Sequence, residues 1–238
     1  MIEIANLTKH HRGTTAVRDV SFQAVPGRVT GFLGPNGAGK SSTLRILLGL
    51  DRADAGSATI GGRAYRDLRS PLRTVGALLE GSGAHRSRTA RAHLEWVALS
   101  NGLPRDRVRH VLEEVGLADA AGTRVRKFSL GMGRRLGIAT ALLGDPEVLV
   151  LDEPVNGLDP EGIRWLRQLV RTAADEGRTV LLSSHFMAEM SSTADDLVVI
   201  AGGSVVAQGS IDEVVGDHAG LEEAFFTLTA GAPNAGKA

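Results

Sequence analysis

An apolar run, Val29–Leu33, leads directly into GPNGAGKS at residues 34–41, and helix-forming residues follow from Lys40. No other stretch constrains the fold as strongly. The spacing of Gly34, Gly39, Lys40 and Ser41 matches G-x-x-x-x-G-K-[ST], in the context that gives the motif meaning: a strand before it and a helix after it. Glycines let the backbone wrap closely around phosphate groups. Successive N–H groups and the helix N-terminus then aim partial positive charge at them. On this reading Gly34, Pro35, Asn36, Gly37, Ala38 and Gly39 form the cradle. Lys40 brings a mobile charge to the β- and γ-phosphates, the Ser41 hydroxyl ligates Mg²⁺, and Ser42 donates to phosphate. A plain glycine-rich turn is the bland alternative, and it would leave the lysine, the serine and the flanking pattern unexplained.

The second fixed point is FSLGMGRRLGIATALLGDPEVLVLDEPVNGLDP, residues 128–160. A small-residue turn opens a helix, and a hydrophobic run then ends in adjacent carboxylates, Asp152 and Glu153. The continuous apolar run is expected of a central parallel strand buried on both faces. Asp152 at its end is placed to hold Mg²⁺ through water, since phosphoryl transfer needs a metal to neutralise developing charge. Glu153 points elsewhere and is a candidate to orient or deprotonate the attacking water. An ion-paired strand end is the competing reading, and the phosphate loop weighs against it.

Around these points the chain alternates. Ile2 to Ile4 and the stretch before Pro26-Gly27 read as strands of a peripheral antiparallel sheet. Ser57 to Ile60 adds a strand and turn. From residue 81 to 144 the pattern turns helical: Leu94, Val97 and Ala98 share a face, and Val108, Val111, Leu112 and Val115 recur at helical spacing. Pro160 suits a first helical turn, with Ile163, Leu166, Leu169, Val170 and Ala173 facing inward. Thr179 to Leu182 reads as another buried strand, and residues 197–208 as a hairpin around Gly202-Gly203. Strands alternating with helices give an α/β fold with a mostly parallel sheet, and a ligand belongs at the strand carboxyl ends.

Composition narrows the classes. The 238 residues carry 27 Lys plus Arg against 27 Asp plus Glu. No basic excess or stripe of the kind a nucleic-acid binder shows stands out. There is no cysteine, which fits a reducing compartment and excludes disulfides and Cys-based metal sites. The N-terminus has no signal-peptide pattern, and no run approaches the length that spans a bilayer. The chain is expected to be soluble by itself, so work at a membrane would need another anchor. Arg86, Arg88 and Arg91 at the start of the helical region read as a solvated face, with a membrane partner or anionic lipid as alternatives.

With these motifs in their order, the chain resembles an ATP-binding subunit of an ABC transporter, over nearly its whole length to about Leu228. The resemblance implies a P-loop NTPase (RecA-like) core with an N-terminal antiparallel β-subdomain and an inserted helical subdomain. It places one ABC ATPase domain at residues 1–230, its catalytic lobe at 1–80 and 145–230, its helical subdomain at 81–144, and a disordered tail at 231–238. Ser129, Leu130, Gly131 and Met132 stand where the family carries its signature, which closes over ATP bound to a second subunit. A serine hydroxyl and amides at a helix N-terminus suit an anion, and Ser129 is equally suited to capping. Phe128, Leu130 and Met132 depart from the usual Leu-Ser-Gly-Gly-Gln and resemble the drug- and bacteriocin-resistance branch of exporters. Asp159 matches the loop crossing the dimer interface and also suits a helix cap. His185 matches the switch histidine that contacts the γ-phosphate and links it to Glu153; a lone structural histidine is the alternative.

Two further positions depart from the family pattern. His11 stands where an aromatic residue usually stacks on adenine, in the loop before Gly13, with His10 as the alternative register; imidazole stacks with less area than Tyr. Glu80 replaces a usual Gln near the metal, as in the drug-resistance branch, with a solvated strand-end charge as its other reading. The C-terminal GLEEAFFTLT resembles that branch's closing helix, with Phe225 and Phe226 as core or docking residues. The resemblance thus implies an ATP-hydrolysing, Mg²⁺-dependent subunit of an exporter of an antibiotic, drug or peptide. It works as a head-to-tail, self-complementary dimer on a separate transmembrane permease at the cytoplasmic face of the membrane, without nucleic acid. A soluble ATPase of a cytosolic assembly system, such as iron–sulfur cluster biogenesis, shares the same chemistry. DNA-repair members carry long coiled coils between loop and signature, and this chain has no sustained heptads.

Overall fold

The computed structural model describes residues 1–11, 13–79 and 83–231. In chain order the first elements are β1 (Ile2–His11), β2 (Thr14–Ala24), β3 (Val29–Leu33), α1 (Lys40–Leu47) and β4 (Ala55–Ile60). Then come α2 (Pro71–Thr74), β5 (Val75–Leu78), α3 (Ala90–Ser100), α4 (Asp106–Glu114), α5 (Leu130–Leu142) and β6 (Val148–Asp152). The chain continues with α6 (Pro160–Asp175), β7 (Thr179–Ser184), α7 (Met187–Ser191), β8 (Asp196–Ala201), β9 (Ser204–Ser210), α8 (Ile211–Val215) and α9 (Leu221–Thr229). These elements form two compact units, residues 1–68 with 170 onward, and residues 69–169.

The first unit holds the antiparallel sheet β2-β1-β4. Ile2, Ile4 and Leu7 of β1 face the core while Glu3 and Ala5 are half-buried, the period of two that a one-sided sheet requires. Phe22 of this sheet meets Phe32 of β3 with ring centroids 5.1 Å apart. Strands β7, β3 and β8 run parallel, with Leu33 of β3 level with Ser184 of β7 and with Val199 of β8. Every residue of β3 and β7 is buried, which is why both read as unbroken apolar or small-residue runs. β9 returns antiparallel to β8 through Gly202-Gly203, both at positive φ, as a tight hairpin turn demands. The opposite ends of the strands are held by charge. Arg28 donates to both Asp196 oxygens at 2.5 and 2.6 Å, and Asp195 accepts from the Val29 N–H and from Arg171, each at 2.8 Å.

In the second unit β5 and β6 pair in parallel, Val75 with Val148 through Leu78 with Leu151. Helix α5 lies so close to β5 that a Cβ on Gly76 would fall 2.1 Å from the Ala141 carbonyl oxygen. Helices α3, α4 and α5 share a core of Leu94, Val97, Val108, Val111, Leu112, Leu136 and Ile138. Thr89 caps α3 by accepting the Ala92 N–H, and Ser129 caps α5 by accepting the Met132 N–H, both at 3.1 Å.

The alternation, the helical stretch and the hairpin follow the sequence pattern. The first two strands are longer than the pattern indicates, because register shifts along β1 break its alternation after Ile4 without ending the pairing. Short helices α2, α7 and α8 were not expected from periodicity. Helix α8 has its own local signal, a capping box in which Ser210 and Glu213 exchange hydrogen bonds. Phe225 is buried and Phe226 exposed, so the pair divides between core and surface. Glu80 and residues 232–238 lie outside the described residues. No helix among the described residues is long and apolar enough to cross a membrane.

Candidate functional site

In the first unit the phosphate loop leaves the carboxyl end of β3 and returns into α1. Its shape is set by close approach. A Cβ on Gly34 would sit 2.4 Å from the Ile200 carbonyl oxygen, and one on Gly39 would sit 2.5 Å from that of Ala16. Gly39, at φ 107, is the residue preceding α1; it offers no side-chain cap, and no acidic residue occupies the first turn. The first N–H groups of a helix have no intrahelical acceptor, so this terminus is complementary to an anion. Thr43 bonds back to the Gly39 carbonyl at 3.0 Å and fixes the start of the helix.

Lys40 is buried, and its Nζ donates to the carbonyls of Gly34 at 2.5 Å and Pro35 at 3.3 Å. The ammonium therefore lies along the inside of the loop. Ser41 is exposed and Ser42 half-buried on the first turn of α1, and Asn36 and Gly37 are exposed at the loop crest. His185 directly follows β7, whose last residue is level with Leu33 at the end of β3. The histidine and the phosphate loop thus emerge from the same end of adjacent parallel strands. The His185 ring packs against that of Phe186, 3.9 Å between centroids and tilted by 39°. His11 closes β1 opposite Thr14, on a strand rather than in a loop, and is exposed. His10 is tied down by its N–H to Asp54 at 2.6 Å and by Nδ1 to Thr15 at 3.1 Å.

The second unit carries the other predicted groups. Asp152 ends β6 and is 5% exposed. Glu153 is half-buried at φ 48, a left-handed conformation that a residue with a Cβ adopts at a cost of about 1–3 kcal/mol. The chain turns at this residue, so the two carboxylates do not continue the strand's simple alternation. A left-handed backbone at a non-glycine residue is a feature that residue types alone do not show.

The loop after Glu153 packs against the signature turn. A Cβ on Gly157 would lie 2.4 Å from Leu130, and one on Gly131 would lie 3.1 Å from the Gly157 carbonyl oxygen. Leu130 is 71% exposed even so. Asp159 accepts the Gly162 N–H at 2.8 Å, so its capping role is present. The Ser129 hydroxyl is engaged in capping α5.

Arg134, one turn into α5, was not singled out by its residue type. Its Nε donates to the Asn156 carbonyl at 3.2 Å, and its buried Nη1 has no hydrogen-bond partner. Burial pushes its pKa down, while the charges of Asp152 and Glu153 hold it up. A cation is therefore stationed within electrostatic reach of both acids.

Ser41 of the first unit and Asp152 of the second are each hard oxygen donors of the class that Mg²⁺ accepts. Among the described residues no group of three or more His, Asp or Glu is placed to hold a metal ion.

Residues 17–156 match the family model described as ABC transporter. The chain is 36% identical over 212 residues to the lantibiotic transport ATP-binding protein SrtF of Streptococcus pyogenes, covering 89% of this chain and 92% of that protein. It is 38% identical over 221 residues to the bacitracin transport ATP-binding protein BcrA of Bacillus licheniformis, covering 92% and 71%. A solved ATP-binding subunit of an ABC transporter superposes with a TM-score of 0.87 at 27% identity, covering 96% of this chain and 99% of that one. A dimeric cassette bound to ADP and Pi superposes with a TM-score of 0.78 at 22% identity, covering 88% and 98%, a likeness of fold. The strand-to-loop-to-helix geometry, the acidic strand end and the capped signature helix thus sit in a chain that belongs to the ABC transporter family of ATP-binding proteins.

Proposed function

We propose that this chain binds and hydrolyses ATP with Mg²⁺ to drive export of an antibiotic, drug or peptide through a separate membrane-spanning permease. The observation that carries the ATP chemistry is the loop at residues 34–41, forced into shape by backbone contacts at Gly34 and Gly39 and leaving the same end of adjacent strands as His185. The export reading is supported by the lantibiotic and bacitracin transport relatives and by the Ser129-Leu130-Gly131-Met132 turn.

In this mechanism the loop amides and α1 bind the phosphates, and Lys40 swings from the Gly34 and Pro35 carbonyls to the β- and γ-phosphate oxygens. Ser41 and Asp152 would hold Mg²⁺, which would supply charge neutralisation at the transferring phosphoryl group. Glu153 accepts a proton from the attacking water, and His185 contacts the γ-phosphate. Ser129 and the α5 N-terminus close over the nucleotide of a second copy, so two copies arranged head to tail make two sites. ATP favours the closed dimer by touching both copies, and loss of the γ-phosphate reopens it. The subunit is thereby a peripheral component at the cytoplasmic face, held by the permease.

Two measurements test this. Glu153→Gln is expected to keep ATP binding and lose steady-state hydrolysis, and near-normal hydrolysis would remove Glu153 from the role of base. Tagged chain recovered from gently solubilised membranes should bring down a polytopic membrane protein in stoichiometric amount. Recovery only with a cytosolic partner would replace the exporter by an assembly ATPase.

A further inference from the structure

The strand that feeds the phosphate loop reads Val-Thr-Gly-Phe-Leu, and Thr30 is its one polar side chain. Thr30 is 1% exposed, and its Oγ1 has no hydrogen-bond partner in the protein. A buried hydroxyl that no protein group satisfies costs free energy, so its surroundings decide what it is for. Here Thr30 lines an open cleft of about 580 Å³ in the first unit, a volume in the range of small-molecule sites. One wall of the cleft comes from β1 and β2, the other from β3, β8 and β9. Thr30 and Asp196 stand at the amino ends of β3 and β8, whereas the phosphate loop leaves the carboxyl end of β3.

Strand pairing gathers the polar groups of the cleft. Glu3 of β1 is level with Gln23 of β2, Thr30 with Asp196, and Gln208 of β9 with Val198. The apolar lining residues Ile4, Phe22, Leu197 and Val198 are each 5% exposed or less, so they offer a ligand little surface. Ser21, Gln23 and Gln208 are exposed, and Glu3 and Asp196 are half-buried. Asp196 is neutralised by its pair with Arg28. Glu3 forms no ion pair among the described residues. No Lys, Arg or His among the described residues lines the cleft. Its chemistry is therefore one uncompensated carboxylate, two amides and two hydroxyls.

We propose that this cleft binds a small aminated polyol, of the amino-sugar class, at a site separate from the nucleotide. The ligand's ammonium pairs with Glu3, and its hydroxyls exchange hydrogen bonds with Gln23, Gln208 and the Thr30 Oγ1. Charge and polarity decide the class. The Glu3 carboxylate repels phosphates and carboxylates, which separates this ligand from nucleotides. A lipophilic ligand would find almost no apolar side chain to cover. A neutral polyol would leave Glu3 without its pairing. The site needs neither export nor a permease, so it stands apart from the transport reading.

The test is an amide NMR titration of the full chain with glucosamine, glucose and glucuronate, at a pH where the amine is protonated. Glucosamine is expected to bind saturably, with a dissociation constant of about a millimolar, and to shift the amides of Thr30 and Gln208. Glucose should bind at least about tenfold more weakly, and glucuronate should give no saturable shift. Glu3→Gln keeps the side-chain shape at a half-buried position and should weaken glucosamine at least about tenfold. Thr30→Val should weaken it about fivefold while leaving the urea midpoint at or above that of the parent, because the lost hydroxyl has no partner in the protein. No saturable shift with glucosamine, equal affinity for glucose, or unchanged affinity in Glu3→Gln would overturn the proposal, and the first would mean that the cleft is hydrated only. Displacement of glucosamine by ATP would also overturn it, by assigning the sugar to the phosphate loop. Each of these results leaves ATP hydrolysis and co-purification of a permease as separate measurements.

Discussion

Gly39→Ala perturbs the phosphate loop by an amount that follows from two observations. The first is φ of 107 at Gly39, outside the range an L residue enters readily, which costs about 1–3 kcal/mol. The second is the Ala16 carbonyl oxygen 2.5 Å from the position of the new Cβ. That oxygen belongs to the backbone of β2, so relief requires movement of a strand or of the loop itself. Such overpacking costs about 1–3 kcal/mol. The sum is about 2–6 kcal/mol, a large share of the roughly 5–15 kcal/mol that holds a domain folded. Gly37→Ala is the internal control. Its φ is 80, but nothing lies within 4 Å of the new Cβ, so only the conformational term applies. Chemical denaturation of both variants should therefore place Gly39→Ala about 1–3 kcal/mol below Gly37→Ala, and isothermal titration should find ATP binding lost in the former. Equal midpoints for the two variants would refute the claim that the loop is shaped by contact with β2.

Further outcomes follow from the second unit. Glu153→Gly should relieve the left-handed strain and gain up to about 1 kcal/mol in denaturation while abolishing hydrolysis, whereas a loss of stability would mean that Glu153 is held by favourable contacts. Arg134→Met should change stability by less than about 2 kcal/mol, because the lost hydrogen bond to Asn156 is offset by removal of an unpaired buried N–H. Its hydrolysis should fall at least about tenfold as the cation near Asp152 and Glu153 is lost, and unchanged turnover would reduce Arg134 to a packing residue. Burial, aided by the Arg88 charge, depresses the pKa of His93 below the ordinary histidine value. The folded state then resists a proton that the unfolded chain takes up near pH 6.5, so stability is full above that pH and declines below it. Urea midpoints at pH 7.5 and 5.5 should fall less in His93→Gln than in the parent, and identical falls would exclude His93 as a source of acid sensitivity.

The parts of the fold that were legible are those in which one local pattern determines the outcome. Residues 29–33 and 148–152 are buried along their full length, so their hydrophobicity announces both strand and burial. The loop at 34–41 is legible because Gly, Lys and Ser at fixed spacing serve one geometry. The position of His185 directly after a strand was legible, whereas the pairing that sets the end of β7 beside that of β3 is a tertiary fact. What was hidden depends on tertiary contact or on backbone angles. Nothing in the letters of β1 and β2 reveals that pairing survives their register shifts. Residues 125 and 126 join Arg86 and Arg88 only through backbone hydrogen bonds made after folding, so their common surface is not legible in the letters.

Glu153 and Arg134 show why sequence reading stops short of the site's energetics. The apolar run names Asp152 as the end of a strand, yet the choice of φ 48 for the next residue depends on the turn that carries the chain to Asn156 and Gly157. That turn brings the Asn156 carbonyl to Arg134 and seats Leu130 on Gly157. A single loop therefore couples the acid that would act as base to the turn that would close over a second copy's nucleotide. The coupling runs through a strained backbone and a half-buried cation, both of which resist small adjustments: strain at one residue is relieved only by moving its neighbours, and an Nη1 buried without a partner gains from any acceptor that moves toward it. Substitutions in residues 154–158 that leave every predicted catalytic group in place should accordingly alter turnover. Gly157→Ala is the sharpest of them, because the Leu130 side chain stands 2.4 Å from the new Cβ and must leave the loop. Hydrolysis by Gly157→Ala at the parent rate, with the fold intact by thermal melt, would show that the signature turn and this loop act independently.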